Sequence, residues 1–410
     1  MRCTRTKICI FAFLSRYDRS GGHFMNTQKS SLPLAFLIAA TASLASVPVT
    51  AQENLNFAYG TPADSGVGRA VVGYISAVAE RTDGEIAVTA FPMTLLTQAE
   101  ASPGIRDGLA DVGLVVTGYY PAEYSTNLFL HELNTLVNLP ENPNGKEALA
   151  FSGAMLEYTF MKCPECLDEY TAQNQVYTGG AVTPLYNLLC KGGKVTSLDD
   201  LKGKRFRAGG AGFVRFAEHF GATGVSIPLS ETYEALDQGI VECAMLSAPE
   251  LDNFSLHEVV TDVTLGVPGG VYAAIASANI NKDLWLSMTD AKREALLWGG
   301  TKITAGITWG FYSDDGAAIQ NAKDKGINVH RPDAELNAAV KDFVRQDLET
   351  VSTLFKEKYN VLRADEIATE FSELLEKWYA LTEDVGSEQE LHNLFWKQIV
   401  SKVDPATYMK

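Results

Sequence analysis

The residues able to hold or process a small molecule are few, and one stretch concentrates them: residues 197–250, "SLDDLKGKRFRAGGAGFVRFAEHFGATGVSIPLSETYEALDQGIVECAMLSAPE". Over Lys204–Ala208 an extended chain turns Phe206 and Ala208 to one face and Arg205 and Arg207 to the other. Arg207 stands at the carboxyl end of this strand, just before Gly209-Gly210 and a new helix. Ligands of open α/β sheets bind at that end. The helix start offers free N–H groups and a positive dipole end. A guanidinium grips a carboxylate through two parallel hydrogen bonds. The competing reading is that Arg205, Arg207 and Arg215 are solvated or paired with the chain's many acids. Arg207 is the candidate anion grip, with Gly209 beside it.

Nothing comparable points to bond making or breaking. The histidines beyond residue 51 (His131, His219, His257, His330 and His392) show no HExxH or other close metal spacing, and no metal site is expected. There is no GxSxG elbow, no Walker loop and no GxGxxG after a strand. "GVGRAVVGY" lacks the third glycine and the later acidic partner of a nucleotide site, so no cofactor is expected. His219 in "FAEHFG" suits a helix end, and His131-Glu132 suits a structural role. Without an acid, base and nucleophile in one place, the chain reads as a binding protein and not an enzyme.

The elements that carry these residues alternate. "ENLNFAYG" reads as a strand, "VGRAVVGYISAVAERTDG" as a helix, "EIAVTAFP" as a strand, "ASPGIRDGLAD" as a short helix and "DVGLVVTGYY" as a buried strand. The pattern restarts near Tyr186 with strands "YNLLCK" and "KRFRAG", helix "GFVRFAEHFG", strand "VSIPLS", helix "ETYEALDQG" and strand "VECAML". Two successive α/β patterns predict two α/β lobes. From Thr289 to Asp324 helical spacing continues, interrupted only by Gly299-Gly300 and Gly316, and further helices are expected over 334–357 and 364–384. The absence of a Pro- or Ser-rich linker suggests lobes that exchange strands or share a hinge helix, with the ligand in the cleft between them.

Composition narrows the partners. The 410 residues include 34 Lys or Arg and 50 Asp or Glu, a net charge of −16, and 46% are hydrophobic. Such a chain buries a core but lacks the basic surface that nucleic acid needs. Lys29, the 13-residue apolar run Leu32–Leu44 and the small residues near Ala51 describe an export signal, too short to span a bilayer. Met25 reads as the start, so residues 1–51 form a leader with the signal over 25–51, and the protein is expected in the periplasm. Beyond residue 51 the net charge becomes −21. An anionic ligand must then be held by local groups, within a screening length of about 8 Å. Cys163, Cys166, Cys190 and Cys243 remain, an even number that favours disulfides in an oxidising compartment over a zinc site. Three pairings are open. A thioredoxin-like role for "CPEC" is disfavoured because the pair follows a helical stretch.

The segment "SLDDLKGKRFR" followed by "GATGVSIPLSETYEALDQGIVECA" resembles the substrate-binding proteins of TRAP-type transporters, the DctP-like family. "IRDGLADVG" and "NKDLWLSMTDAKREAL" fall in the expected order, so the resemblance spans the chain beyond the leader. It implies a two-lobed periplasmic binding protein fold with a ligand cleft and a long helix bracing both lobes, for which 289–324 is the candidate. Lobe I is expected over 52–184 plus about 273–305, and lobe II over 185–272 plus about 306–410 with the C-terminal helices. In that family the strand-end arginine of the DLKG-x-x-x-R pattern clamps a substrate carboxylate, a role that carries to Arg207. Many members have a second arginine upstream. Here that neighbourhood is "PLYNLLCKGGKV", with Tyr186 and Asn187 instead.

The strand ending "CAMLSAPE" is mostly apolar, with Ser247 the nearest hydroxyl. Phe213, Tyr186, Met245 and Tyr119 are candidate apolar walls. Thr61, Tyr119 and Tyr272 lie on loops expected at strand carboxyl ends. The expected ligand is a small organic acid with one carboxylate, an aromatic or hydrophobic monocarboxylate or a 2-oxo or 2-hydroxy acid. The expected partners are integral membrane permease subunits. A four-carbon dicarboxylate, or a secreted enzyme acting on a small acid, are the alternatives.

Overall fold

The computed structural model describes residues 52–140 and 145–410. The leader, with Met25, its apolar run and the signal over 25–51, lies outside the described residues.

The described strands are β1 (Glu53–Tyr59), β2 (Ile86–Pro92), β3 (Val112–Val116), β4 (Gln175–Val176), β5 (Gly180–Ala181), β6 (Asn187–Cys190), β7 (Arg205–Ala208), β8 (Thr223–Ser226), β9 (Cys243–Leu246), β10 (Asp262–Thr264), β11 (Ile275–Asn281) and β12 (Asn328–His330). They build two sheets. The first has the order β2-β1-β3-β11-β4, with β5 also paired to β11. Its β1 runs parallel to β2 and β3, and β11 runs antiparallel to β3. The second has the order β12-β10-β6-β9-β7-β8. Here β7 is parallel to β8 and β9, while β6 is antiparallel to β9 and β10. Continuous apolar strands such as "VGLVV" of β3 are buried along their whole length, as a sheet covered on both faces requires.

The expected two-lobed α/β architecture is therefore present. The chain passes between the sheets three times: from β5 to β6, from β10 to β11, and from β11 to β12 through the helix Asp290–Asp324. This 35-residue helix is about 52 Å long at 1.5 Å per residue. The Thr289 hydroxyl caps it by accepting from Lys292 N. Gly299 and Gly300 do not break it. They sit where neighbours press closest, Gly299 against Tyr74 and Val78, and Gly300 where a Cβ would come within 2.6 Å of the Thr178 carbonyl. The helix Ala334–Tyr359 also bridges: Phe343 packs on Phe216 beside the second sheet, and Phe355 packs on Phe129 of the helix Ser125–Glu132. It ends at Asn360, whose φ of 59° makes the left-handed cap.

One expectation shifts, and one left open is resolved. The strand expected at "VSIPLS" is β8 over Thr223–Ser226 instead. Pro228 has no N–H to extend the ladder, and the Ile227 carbonyl is taken by the Arg207 side chain. The cysteines pair locally and across a ladder. Cys163 bonds Cys166 at the start of the helix Pro164–Ala172, and Cys190 bonds Cys243, its cross-strand partner in β6 and β9. Among the described residues no helix is long and apolar enough to cross a membrane.

Candidate functional site

Arg207 lies in β7, flanked by parallel strands on both sides, and its side chain leaves the sheet toward the first lobe. It is 2% exposed. Its Nε donates to the Ile227 carbonyl at 2.9 Å, which fixes the guanidinium plane. One terminal nitrogen, Nη1, is buried without a partner. The other two arginines of the segment are used structurally. Arg205 pairs with Glu242 at the surface, and Arg215 joins buried Glu132 (2.6 Å) and Asp347 (2.7 Å). Among the described residues, no carboxylate forms an ion pair with Arg207.

The guanidinium borders a cavity of about 60 Å³, room for roughly four to six water-sized groups. Both lobes line it: Thr61, Ser65, Gln98, Tyr119 and Tyr272 with Tyr186, Arg207, Leu246 and Glu250. Two further polar atoms on this lining are buried without a partner, the Tyr272 hydroxyl and Gln98 Oε1. Most buried polar groups in proteins are hydrogen-bonded. Three orphans around one cavity, a cationic donor, a hydroxyl and an amide oxygen, mark a place built for a polar guest. Apolar surface from Val67, Leu114, Val116, Ile275 and Phe311 completes the wall. Ser65 and Asn253 also line a wider outer recess of about 680 Å³, which carries Asp64, Asp252 and the ion pair of Arg69 with Asp314.

The residues singled out from sequence separate into two groups. Arg207, Tyr186, Tyr119, Tyr272 and Thr61 line the cavity. Phe213 stands behind it, stacked on Tyr186 at 4.8 Å, and Tyr186 in turn lies parallel to Tyr272 at 6.0 Å. Met245 is buried on the strand face opposite Leu246, and it is Leu246 that reaches the cavity. Asn187 and Ser247 are buried outside the lining. Asn187 Oδ1 accepts from Gly266 N, and the Ser247 hydroxyl has no partner. Gly209 faces a separate recess between the lobes, with Tyr119 and Pro228. The N–H groups of the helix Ala211–His219 are not all free, because Gly212 N already donates to Glu132.

His131 and Glu132 act structurally. His131 Nδ1 accepts from Ala273 N where the chain returns to the first sheet, and burial pushes its imidazole down to about 3, so the ring is neutral. Tyr119 closes the cavity from the first lobe, its hydroxyl accepting from Leu229 N of the second lobe at 3.1 Å. Gln98 and Glu250 were missed in the sequence. Both follow strands of the two sheets at their carboxyl ends, β2 and β9, so the topological rule that selected Arg207 reaches them too. Glu250 is 5% exposed, and burial raises its carboxyl to about 7 against the opposing pull of Asn253 and Arg207.

Comparison with known proteins agrees with this fold. Residues 190–353, which hold Arg207 and the whole of β7 to β10, match the family model described as bacterial extracellular solute-binding protein, family 7 (DctP). A protein of Albidiferax ferrireducens described as a solute-binding protein is 26% identical over 113 residues, covering 28% of this chain and 33% of the relative. The chain thus spans about a third of the length of that curated relative. Among solved structures, a TRAP solute-binding protein from a marine metagenome, described as specific for aromatic acid ligands and holding 3-hydroxybenzoate, superposes with a TM-score of 0.68 at 21% identity. The match covers 80% of this chain and 99% of that one. A TRAP periplasmic solute-binding protein from Bordetella bronchiseptica with bound mandelate gives 0.68 at 21%, covering 79% and 99%. A Bordetella pertussis extracytoplasmic solute receptor binding pyroglutamic acid gives 0.64 at 15%, covering 79% and 99%. The resemblance to DctP-like TRAP substrate-binding proteins holds. The fold is the two-lobed one of those receptors, with the helix Asp290–Asp324 as its long brace.

Proposed function

We propose that this protein is the periplasmic receptor of a TRAP-type transporter, capturing a small organic monocarboxylate between its lobes and delivering it to integral membrane permease subunits. The observation that carries the reading is the buried guanidinium of Arg207, which lines the cavity, is held by Ile227 at Nε and is unpartnered at Nη1. A carboxylate there gains charge-assisted hydrogen bonds of about 1.5–3 kcal/mol each. The Tyr272 hydroxyl and Gln98 Oε1 suit the carboxylate's second oxygen and a hydroxyl on the ligand body, which favours a 2-hydroxy acid. An aromatic acid is a larger guest than the cavity of about 60 Å³ and would enter with the lobes further apart. Arg207, Tyr272, Gln98, Tyr186, Tyr119 and Thr61 are the contact residues in this reading.

Lobe I is taken as residues 52–184 with about 273–305, and lobe II as 185–272 with the segment from about 306. The expected extension of lobe II to 410 does not hold, because the helix Ala364–Thr382 packs on Glu147–Met161 and Tyr408 on Phe160 and Tyr177, all in lobe I. The three chain crossings between the sheets would serve as the hinge. Closure follows when the ligand binds the closed form more tightly than the open one. No step makes or breaks a covalent bond.

A thermal-shift screen tests the reading. Lactate, 2-oxobutanoate, mandelate, benzoate and pyroglutamate are compared with their amides and with neutral sugars. At least one acid raises the melting temperature by linkage while its amide does not. Stabilisation by sugars or cations alone contradicts the assignment.

A further inference from the structure

The cavity holds a second ionisable group that an anion receptor would not be expected to bury. Glu250 opens the short helix Glu250–Asn253 directly after β9 and lines the same cavity as Arg207. Its carboxylate accepts from Asn253 Nδ2 at 3.1 Å, and among the described residues no Lys, Arg or His forms an ion pair with it. Resting on the carboxylate-receptor reading above, we propose that Glu250 carries a proton into the complex, so that the cavity takes an organic acid as its monoanion plus one proton and rejects dianions.

The argument is one of charge. An ionised Glu250 would set two negative groups, its own and the ligand's, against one guanidinium in a space largely closed to water. Like charges sharing a buried site do not both stay ionised. A protonated Glu250 leaves the ligand carboxylate and Arg207 as a neutral pair. It also turns an acceptor into a donor aimed at the ligand, suited to a 2-oxo or 2-hydroxy oxygen. A second carboxylate on the ligand would find no second cation on this lining.

The groups around Glu250 do not remove the need for the proton. β7 contributes Arg207, and the start of β6 contributes Tyr186, whose hydroxyl burial keeps neutral. The long helix contributes Asp315, itself raised to about 6 by burial and accepting from Ala248 N. Its own helix adds Asp252, which faces Asn321 and lies 3.5 Å from His257 Nδ1 on the following turn. Neither carboxylate relieves the charge, and Arg207 is the one cation lining the cavity among the described residues. With its carboxyl near 7 before binding, Glu250 shares a proton at neutral pH, and an incoming anion tips it to the protonated form.

Calorimetric titration checks this. Lactate, mandelate, pyroglutamate and succinate are titrated at about pH 6 to about pH 8.5 in buffers of different ionisation enthalpy, a range over which the three monocarboxylic acids stay ionised. The expected result is uptake of close to one proton above pH 7 and a fall in affinity of about tenfold per pH unit from 7 upward. Succinate is then at least about a hundredfold weaker than the best monoacid. Glu250→Gln takes up no proton and shows a flat pH profile. A flat profile without proton uptake in the wild type, proton release on binding, an unchanged slope in Glu250→Gln, or succinate bound as tightly as the monoacids overturns the proposal and leaves the receptor reading standing. If none of the acids binds at any pH to the folded protein, the receptor reading itself fails and takes the proposal with it. The proton count on the wild type decides the matter even if Glu250→Gln does not fold.

Discussion

At the scale of single residues the cavity trades stability for binding. The Tyr272 hydroxyl is buried with no partner, and such an orphan costs about 1–3 kcal/mol. Its neighbours His131, Thr183 and Tyr186 hold the ring in place through an edge contact at 4.7 Å, a backbone hydrogen bond and a parallel stack, so the hydroxyl does not relax away. Tyr272→Phe should therefore raise the stability of the ligand-free protein, read as the midpoint of chemical denaturation, and weaken acid binding by about tenfold or more in a calorimetric titration. A variant that loses stability and keeps full affinity would show that the hydroxyl serves the fold and not the guest. The contrast with Arg215 is instructive. Its guanidinium sits about one turn into the helix Ala211–His219, where Glu132 and Asp347 consume it. Strand-end position singles out Arg207, but no sequence pattern shows which acids fold back onto Arg215.

At the scale of elements, the second lobe is fastened beside the strand that carries Arg207. Cys190 and Cys243 join β6 to β9, and β9 is hydrogen-bonded to β7 at Phe206 and Arg207. The loop this disulfide closes has a separation of 53 residues, against 3 for Cys163–Cys166. Chain-entropy scaling then makes the first worth about 4 kcal/mol and the second about 2 kcal/mol. Replacing Cys190 and Cys243 together by Ser should lower the denaturation free energy about twice as much as the same change at Cys163 and Cys166. Equal losses would contradict the account. The order and type of these elements were readable because a continuous apolar run stands out in "GLVV" and a 3.6-residue period in "AVVGYISAVAE". The end of β8 was not, since it depends on Pro228 and on a carbonyl borrowed by Arg207. The continuity of the long helix through Gly299-Gly300 was also hidden, because what those glycines accommodate, Tyr74, Val78 and Thr178, arrives from distant segments. Arg207 was legible from strand-end position alone. Gln98 and Glu250 obey the same rule but carry no basic group and no flanking glycine pair to draw notice.

At the scale of the whole molecule, the chain beyond residue 51 carries a net charge of −21, and a small anion approaches it against that field. Screening limits the repulsion to about 8 Å at physiological salt, so the outcome rests on what lies inside the cleft. There the fixed positive charge on the lining is one guanidinium, and a recess that shares Ser65 and Asn253 with the cavity displays Asp64, Asp252 and the Arg69–Asp314 pair. Removing one member of a buried charge pair typically costs about 2–5 kcal/mol of binding. The most direct test is a calorimetric titration of Arg207→Ala beside the wild type, using the acid that stabilises the wild type most and with folding of the variant checked by circular dichroism. The account predicts affinity lower by about a hundredfold or more in a variant that remains folded. An unchanged dissociation constant would mean that the carboxylate is held somewhere else and would contradict it.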